Sequence, residues 1–210
     1  MNKDIKKYYQ TLGKKFKFEG GSGDTPAQRR RLREICVDHK CKNIMEIGFN
    51  AGHSADLFLS LTDDTLVTSF DLGAHDYVLY GKSYIDQNYP FRHNLIIGDS
   101  KETVNDFQKS NPNTKFDLIF IDGDHSEIGA LTDLVNCSYL AHRDTVIILD
   151  DTRISGPIQN WNVGPNYAWK KCIESGYIKE IFSEDYENEE HQLSSAGSRG
   201  QSWGKYTNAK

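Results

Sequence analysis

The sequence predicts an α/β protein built on a doubly wound, mostly parallel sheet with helices on both faces. Short apolar runs alternate with helical stretches from about residue 25 to residue 150, the pattern of right-handed strand–helix–strand crossovers. Several runs are apolar almost throughout, as parallel strands covered on both faces are. Glycines and aspartates follow the runs directly, at the carboxyl strand ends where such sheets collect ligands.

The first body helix begins at Thr25, whose hydroxyl can cap a turn opened by Pro26, and runs through Leu32 to about His39. Strands are expected at Asn43 to Ile47, Leu66 to Phe70, Asn94 to Ile97, Asp117 to Ile121 and Thr145 to Leu149. Further helices fit Ser54 to Leu61, Ser100 to Lys109, Ile128 to Leu140 and about Tyr167 to Glu174, the last ending near Gly176. Three zones read as loops: Gly20 to Asp24, Arg153 to Asn166 with its two Gly-Pro signals, and Ser183 to Ser202. The first divides a basic, helical or flexible segment at 1–23 from one domain at 24–210. The segment Leu72 to His93 is longer than a minimal crossover and rich in tyrosine.

Composition narrows the function classes. With 25 Lys and Arg against 30 Asp and Glu, the chain lacks the basic excess of a polyanion binder, so no nucleic acid is expected. Arg29-Arg30-Arg31 and the lysines of the first 17 residues read as solvated helix faces. No run approaches the ~20 apolar residues of a membrane span, and the polar, lysine-rich start has no signal-peptide core. Cys36, Cys41, Cys137 and Cys172 lack metal-type spacing and do not make a disulfide framework. The expected address is the cytoplasm.

The chemistry lies after the apolar runs. Glu46-Ile47-Gly48-Phe49-Asn50-Ala51-Gly52-His53-Ser54 follows the first. Its glycines permit a tight turn and close backbone approach of a ligand. They are four apart, not in the G-x-G-x-x-G of dinucleotide enzymes, which excludes that oxidoreductase reading. Glu46 would repel a pyrophosphate but suit a ligand carrying an ammonium and a sulfonium; the plain alternative is a turn with a solvated Glu. Asp71, 23 residues past Gly48, stands where a carboxylate accepts from ribose hydroxyls, or merely caps a helix. Asp99 or Ser100 can reach an adenine amino group, cap the following helix, or both. Asp122 and the pair Asp150-Asp151 end two runs. If those strands are neighbours, three carboxylates meet and call for a hard divalent cation such as Mg²⁺; otherwise they cap helices or face solvent. His125, three residues past Asp122, is placed to take a proton there.

From Thr25 to Thr152 the chain resembles class I S-adenosylmethionine-dependent methyltransferases, and among them the metal-dependent O-methyltransferases of the catechol and macrolide-sugar type. The resemblance rests on EIGFNAGHS, on Asp71, on GDS at 98–100, and most specifically on FDLIFIDGDH and ILDDT. It implies a Rossmann-like, seven-stranded sheet. It also implies a cofactor site at Glu46, Gly48, Phe49, Asn50, Gly52, Ser54, Asp71, Asp99, Ser100 and Asp122. Metal ligands are implied at Asp122, Asp150 and Asp151, with His125 as the base. The expected reaction is Mg²⁺-assisted methylation of a hydroxyl on a small molecule or sugar. The cation would lower the acceptor's pKa, and the loop from Arg153 to Trp169 would either close over the acceptor with Trp161, Tyr167 and Trp169 or use those aromatics for packing. The alternatives are a metal-independent N- or O-methyltransferase and a catalytically silent cofactor-binding scaffold. The segment after Leu72 and the polar tail depart from the family, so the acceptor does not carry over.

Overall fold

A computed structural model describes residues 4–18, 26–155, 158–186 and 199–209. Its element order is α1 (Ile5–Thr11), α2 (Pro26–Asp38), β1 (Asn43–Ile47), α3 (His53–Leu59), β2 (Leu66–Asp71), α4 (Tyr77–Asn88), β3 (His93–Ile97) and α5 (Ser100–Ser110). There follow β4 (Phe116–Ile121), α6 (Glu127–Ser138), β5 (Ala141–Asp150), α7 (Asn160–Glu174), β6 (Ile178–Tyr186) and β7 (Arg199–Tyr206).

The seven strands form one sheet in the order β3-β2-β1-β4-β5-β7-β6. β1 to β5 are parallel neighbours, and β7 runs antiparallel to both β5 and β6. This is the Rossmann-like, doubly wound architecture. The chain reverses its direction of travel across the sheet between β1 and β4, paired Ile47 to Ile121, so their following loops part and leave a crevice.

Alternate residues feed two cores. Ile44, Val67, Leu118, Phe120, Val146 and Ile148 pack with residues of α1 to α4, while Met45, Phe70, Ile119, Ile121, Ile147 and Leu149 pack with α5 to α7. The strands are therefore apolar on both faces. All four cysteines are buried and free. Among the described residues no helix is long and apolar enough to cross a membrane.

Three sequence expectations are corrected. The loop reading of 153–166 gives way to a helix beginning at Asn160 that carries Gly164 and Pro165 within it. The loop reading of 183–202 gives way to the ends of β6 and β7, with 187–198 outside the described residues. In β7 even Gln201 and Ser202 are buried, because glycines flank them: a Cβ on Gly200 would lie 2.1 Å from the Thr152 carbonyl oxygen. The tyrosine-rich crossover, to which the sequence reading assigned no element, forms α4, burying Tyr77 and Tyr84. Lastly, the arginine run is not a solvated face. Arg29 reaches the His53 carbonyl oxygen at 3.3 Å and Arg31 pairs with Glu184 at 2.7 Å, leaving Arg30 exposed. Gly20 to Asp24 and the Thr25 cap lie outside the described residues.

Candidate active site

The turn after β1 is shaped by three left-handed residues: Gly48 (φ +93°), Asn50 (φ +50°) and Gly52 (φ +84°). At Gly48 the need for glycine is absolute, since a Cβ there would lie 1.9 Å from the carbonyl oxygen of Asp122. The missing side chain lets the loops after β1 and β4 touch. The Gly48 N–H donates to the Phe70 carbonyl (2.8 Å) and the Asp122 N–H to the Ile47 carbonyl (2.9 Å), which knits three strand ends together.

Asp71, at the end of β2, accepts from the backbone N–H of Asn50 and of Gly73, each at 2.7 Å. These bonds fix the carboxylate at the crevice edge, and its remaining lone pairs can still accept. The crevice is a cavity of ≈ 390 Å³ lined by Gly48, Asn50, Asp71, Asp99, Ser100 and Asp122 among others. That volume is within the range of small-molecule sites. His75, Lys101 and Asp124 also line it, and sequence reading missed them. Lys101 pairs with Asp124 at 3.0 Å. Asp124 was visible as a second acid in the run after β4; nothing in the sequence places Lys101 opposite it. Four aspartates against one lysine make the lining strongly negative, which favours a cationic ligand.

Not every expected cofactor residue lines this cavity. Glu46 is wholly buried behind the turn, where Ser69 donates to its Oε1 at 2.5 Å. Ser69 is also 2.7 Å from Nε2 of His93, whose ring stacks on the buried Phe49. Burial pushes the Glu46 carboxyl up to about 7 and the His93 imidazole down to about 3. Ser54 is buried beside Glu46, and Gly52 is the N-cap of α3. These four, Glu46, Phe49, Gly52 and Ser54, are not among the cavity's lining residues. Asp99 caps α5 by accepting from the Lys101 N–H (2.9 Å) and also lines the cavity. The Ser100 hydroxyl instead donates inward to the buried Asp133, at 2.7 Å.

At the neighbouring strand ends Asp122, His125 and Asp151 each offer one ligand atom, all within 4.8 Å of one another. His125 Nε2 is 3.6 Å from Asp122 Oδ1 and 3.3 Å from Asp151 Oδ2. The Asp122 carboxylate, then Asp151 and Asp150, hold His125 up at about 9 against its burial. Burial, then Asp122, raises Asp151 to about 6. Asp150 stands just apart: almost wholly buried, it accepts through Oδ1 from the Gln28 amide at 2.7 Å. Burial and the two neighbouring aspartates push its carboxyl well up. Asp150 Oδ2 and Asp151 Oδ1 are buried without a hydrogen-bond partner. Crowded carboxylates with unpartnered buried oxygens, joined by one imidazole, fit a divalent cation such as Mg²⁺ or Mn²⁺.

α7 holds this cluster in place. Asn162 donates to the Asp151 carbonyl at 2.7 Å, securing the aspartate at φ +55°. Gly164 presses on the turn after β4, since a Cβ there would lie 2.1 Å from the His125 carbonyl oxygen. Of the aromatics read either as closing over an acceptor or as packing, Trp169 packs: it is buried, with its indole N–H on Glu180 at 2.6 Å. Its size makes it a core residue once the segment is a helix. Trp161 and Tyr167 remain exposed.

A protein-family model described as a methyltransferase domain matches residues 45–152, just over half of the chain and all of the strand ends described above. The chain belongs to that methyltransferase family. No curated protein matches it. Solved structures share its fold at low identity. An O-methyltransferase from Bacillus cereus, in complex with S-adenosylhomocysteine, superposes with a TM-score of 0.74 at 18% identity, covering 96% of this chain and 90% of that one. The O-methyltransferase TomG from Streptomyces achromogenes, involved in tomaymycin synthesis and complexed with S-adenosylmethionine, gives 0.71 at 13%, covering 97% and 87%. CalS11, a TDP-rhamnose 3′-O-methyltransferase of calicheamicin biosynthesis, gives 0.63 at 17%, covering 88% and 82%. The class I methyltransferase fold thus accounts for nearly the whole chain.

Proposed function

We propose that this methyltransferase moves the methyl group of S-adenosylmethionine onto a hydroxyl oxygen of a small molecule or sugar, assisted by a divalent cation. The observation that carries the reading is the double position of Asp122. It lines the ≈ 390 Å³ cavity and also belongs to the carboxylate–imidazole cluster, so the two sites share a wall. A cofactor in the cavity would present its sulfonium methyl beside whatever the cluster holds.

The chain's own residues would divide the work. Asp71 would receive the ribose hydroxyls, and Asn50 and Gly48 would bring backbone close to the methionyl portion. The negative lining of the cavity favours the positive sulfonium. Asp122, Asp151 and Asp150 would hold the cation, whose Lewis acidity lowers the pKa of a bound hydroxyl. A cation among those carboxylates would offset their pull on His125, leaving its imidazole neutral and free to take up the hydroxyl proton. Fixing oxygen and methyl at contact distance supplies the rest of the acceleration. The solved neighbours that bind S-adenosylmethionine or its demethylated product, and those named as O-methyltransferases, support both halves of the reading. The acidic balance of the chain argues against a nucleic-acid acceptor.

Calorimetric titration with S-adenosylhomocysteine, with and without Mg²⁺, tests it. Wild type should bind both ligands. Asp122→Asn should weaken both, and Asp151→Asn only the cation. Absence of S-adenosylhomocysteine binding by wild type would overturn the proposal. A second reading has its own support: an imidazolium at His125 already neutralises part of the carboxylate charge, which a metal-independent transferase would use. Transfer that continues undiminished in excess chelator would favour that reading.

A further inference from the structure

Buried polar atoms without partners gather at one place that the cofactor cavity does not explain. α2 packs across the face of the sheet carrying Ile148 and Val146, and its first turns cross the carboxyl end of β5. There Gln28, with no solvent exposure, donates its amide N–H to Oδ1 of Asp150 at 2.7 Å. The second carboxylate oxygen of Asp150 is buried and has no hydrogen-bond partner, and neither has the Gln28 amide oxygen. Gln201, paired directly with Asp150 across β5 and β7, is also fully buried with both amide atoms unpartnered. Directly paired residues of antiparallel strands project from the same face. Two amides and one carboxylate are thus buried together with four polar atoms unmatched. An unmatched buried polar atom is costly, so four kept together point to something they bind.

We infer that Gln28 is a positioning residue for the cation site: by tying down one oxygen of Asp150, it keeps the other free to join Asp122 and Asp151 as a ligand, beside His125. The inference rests on the divalent-cation part of the proposed function. Outer partners that orient a ligating carboxylate typically change metal affinity by about 10–100-fold when removed. An unrestrained Asp150 would lose that orientation and would turn its carboxylate toward the Gln201 amide.

The test is titration of Mn²⁺ into wild type and into Gln28→Leu, which fills a similar volume without a donor. The expected result is a cation Kd weakened about 10–100-fold, with S-adenosylhomocysteine affinity in chelator unchanged. Gln28→Asn, which keeps the amide but shortens its reach, is titrated alongside and should show the same loss; it decides the matter if the leucine variant fails to fold. Wild-type cation affinity in the folded variants would overturn the inference while leaving the cation site standing. Absence of Mn²⁺ binding by wild type would overturn both.

Discussion

Glu46 shows how much one residue's role depends on depth. At the end of β1, beside a glycine-rich turn, its carboxylate reads naturally as a contact for a positively charged ligand. In the fold it has no solvent exposure and sits between Ser69 and Ser54 under the turn. Burial holds its proton to about pH 7, against an ordinary value near 4.5. Folding therefore takes up a proton across that interval. The stability contributed is fully present below about pH 4.5 and is lost as pH rises through about 7. Glu46→Gln removes the titration. The variant should match wild type in urea unfolding near pH 4.5 and exceed it near pH 8, by on the order of 2–3 kcal/mol. Equal denaturation midpoints at pH 8 would show that Glu46 is ionised in the folded protein at no penalty. Gly48 makes the complementary point. Its role was legible because only a glycine pattern permits close approach, but that the approaching group is the Asp122 carbonyl is a tertiary fact.

Among the elements, α7 departs furthest from what local signals say. Gly164-Pro165 reads as a break, and in isolation it would be one, since glycine and proline are the two poorest helix residues. Here the glycine lets the helix press against the His125–Ser126 turn, and the proline is buried. The packing supplies what the propensity withholds. Gly164→Ala, which would stabilise an ordinary helix by about 1 kcal/mol, should here lower stability and weaken Mg²⁺ binding, because the new methyl group displaces the His125 backbone. A raised melting temperature with unchanged Mg²⁺ affinity would contradict the close contact. The five parallel strands, by contrast, were legible within a few residues, since their two-sided burial leaves continuous apolar runs. β6 and β7 were not, because their half-exposed and glycine-flanked positions look like a polar tail until the pairing with β5 is known.

At the scale of the whole molecule, the N-terminal segment is tied to the site. Tyr9 of α1 is buried, and its hydroxyl donates to the carbonyls of Tyr77 (2.8 Å) and Ala51 (3.2 Å), the latter within the turn after β1. Gly81 opens the space, since a Cβ there would lie 2.7 Å from the Ala51 oxygen. Phe16 and Phe18 extend the contact onto Tyr77. Tyr9→Phe should therefore destabilise the protein by about 1–3 kcal/mol and loosen S-adenosylhomocysteine binding; unfolding and binding titrations on the same preparation measure both. Unchanged affinity despite lost stability would make α1 a purely structural strap.

The sequence by itself determined the layered α/β sheet, the order of its parallel strands' apolar runs, and the residue types waiting at their carboxyl ends. It could do so because periodicity, glycine spacing and acid placement are local properties that any chain with this pattern must express. Only the tertiary structure decided which of those residues face the cavity, which lie behind it, and that His125 joins Asp122 and Asp151 in one cluster. Those outcomes depend on strand order, depth of burial and contacts between residues distant in the chain, such as Gln28 with Asp150, which no local pattern encodes.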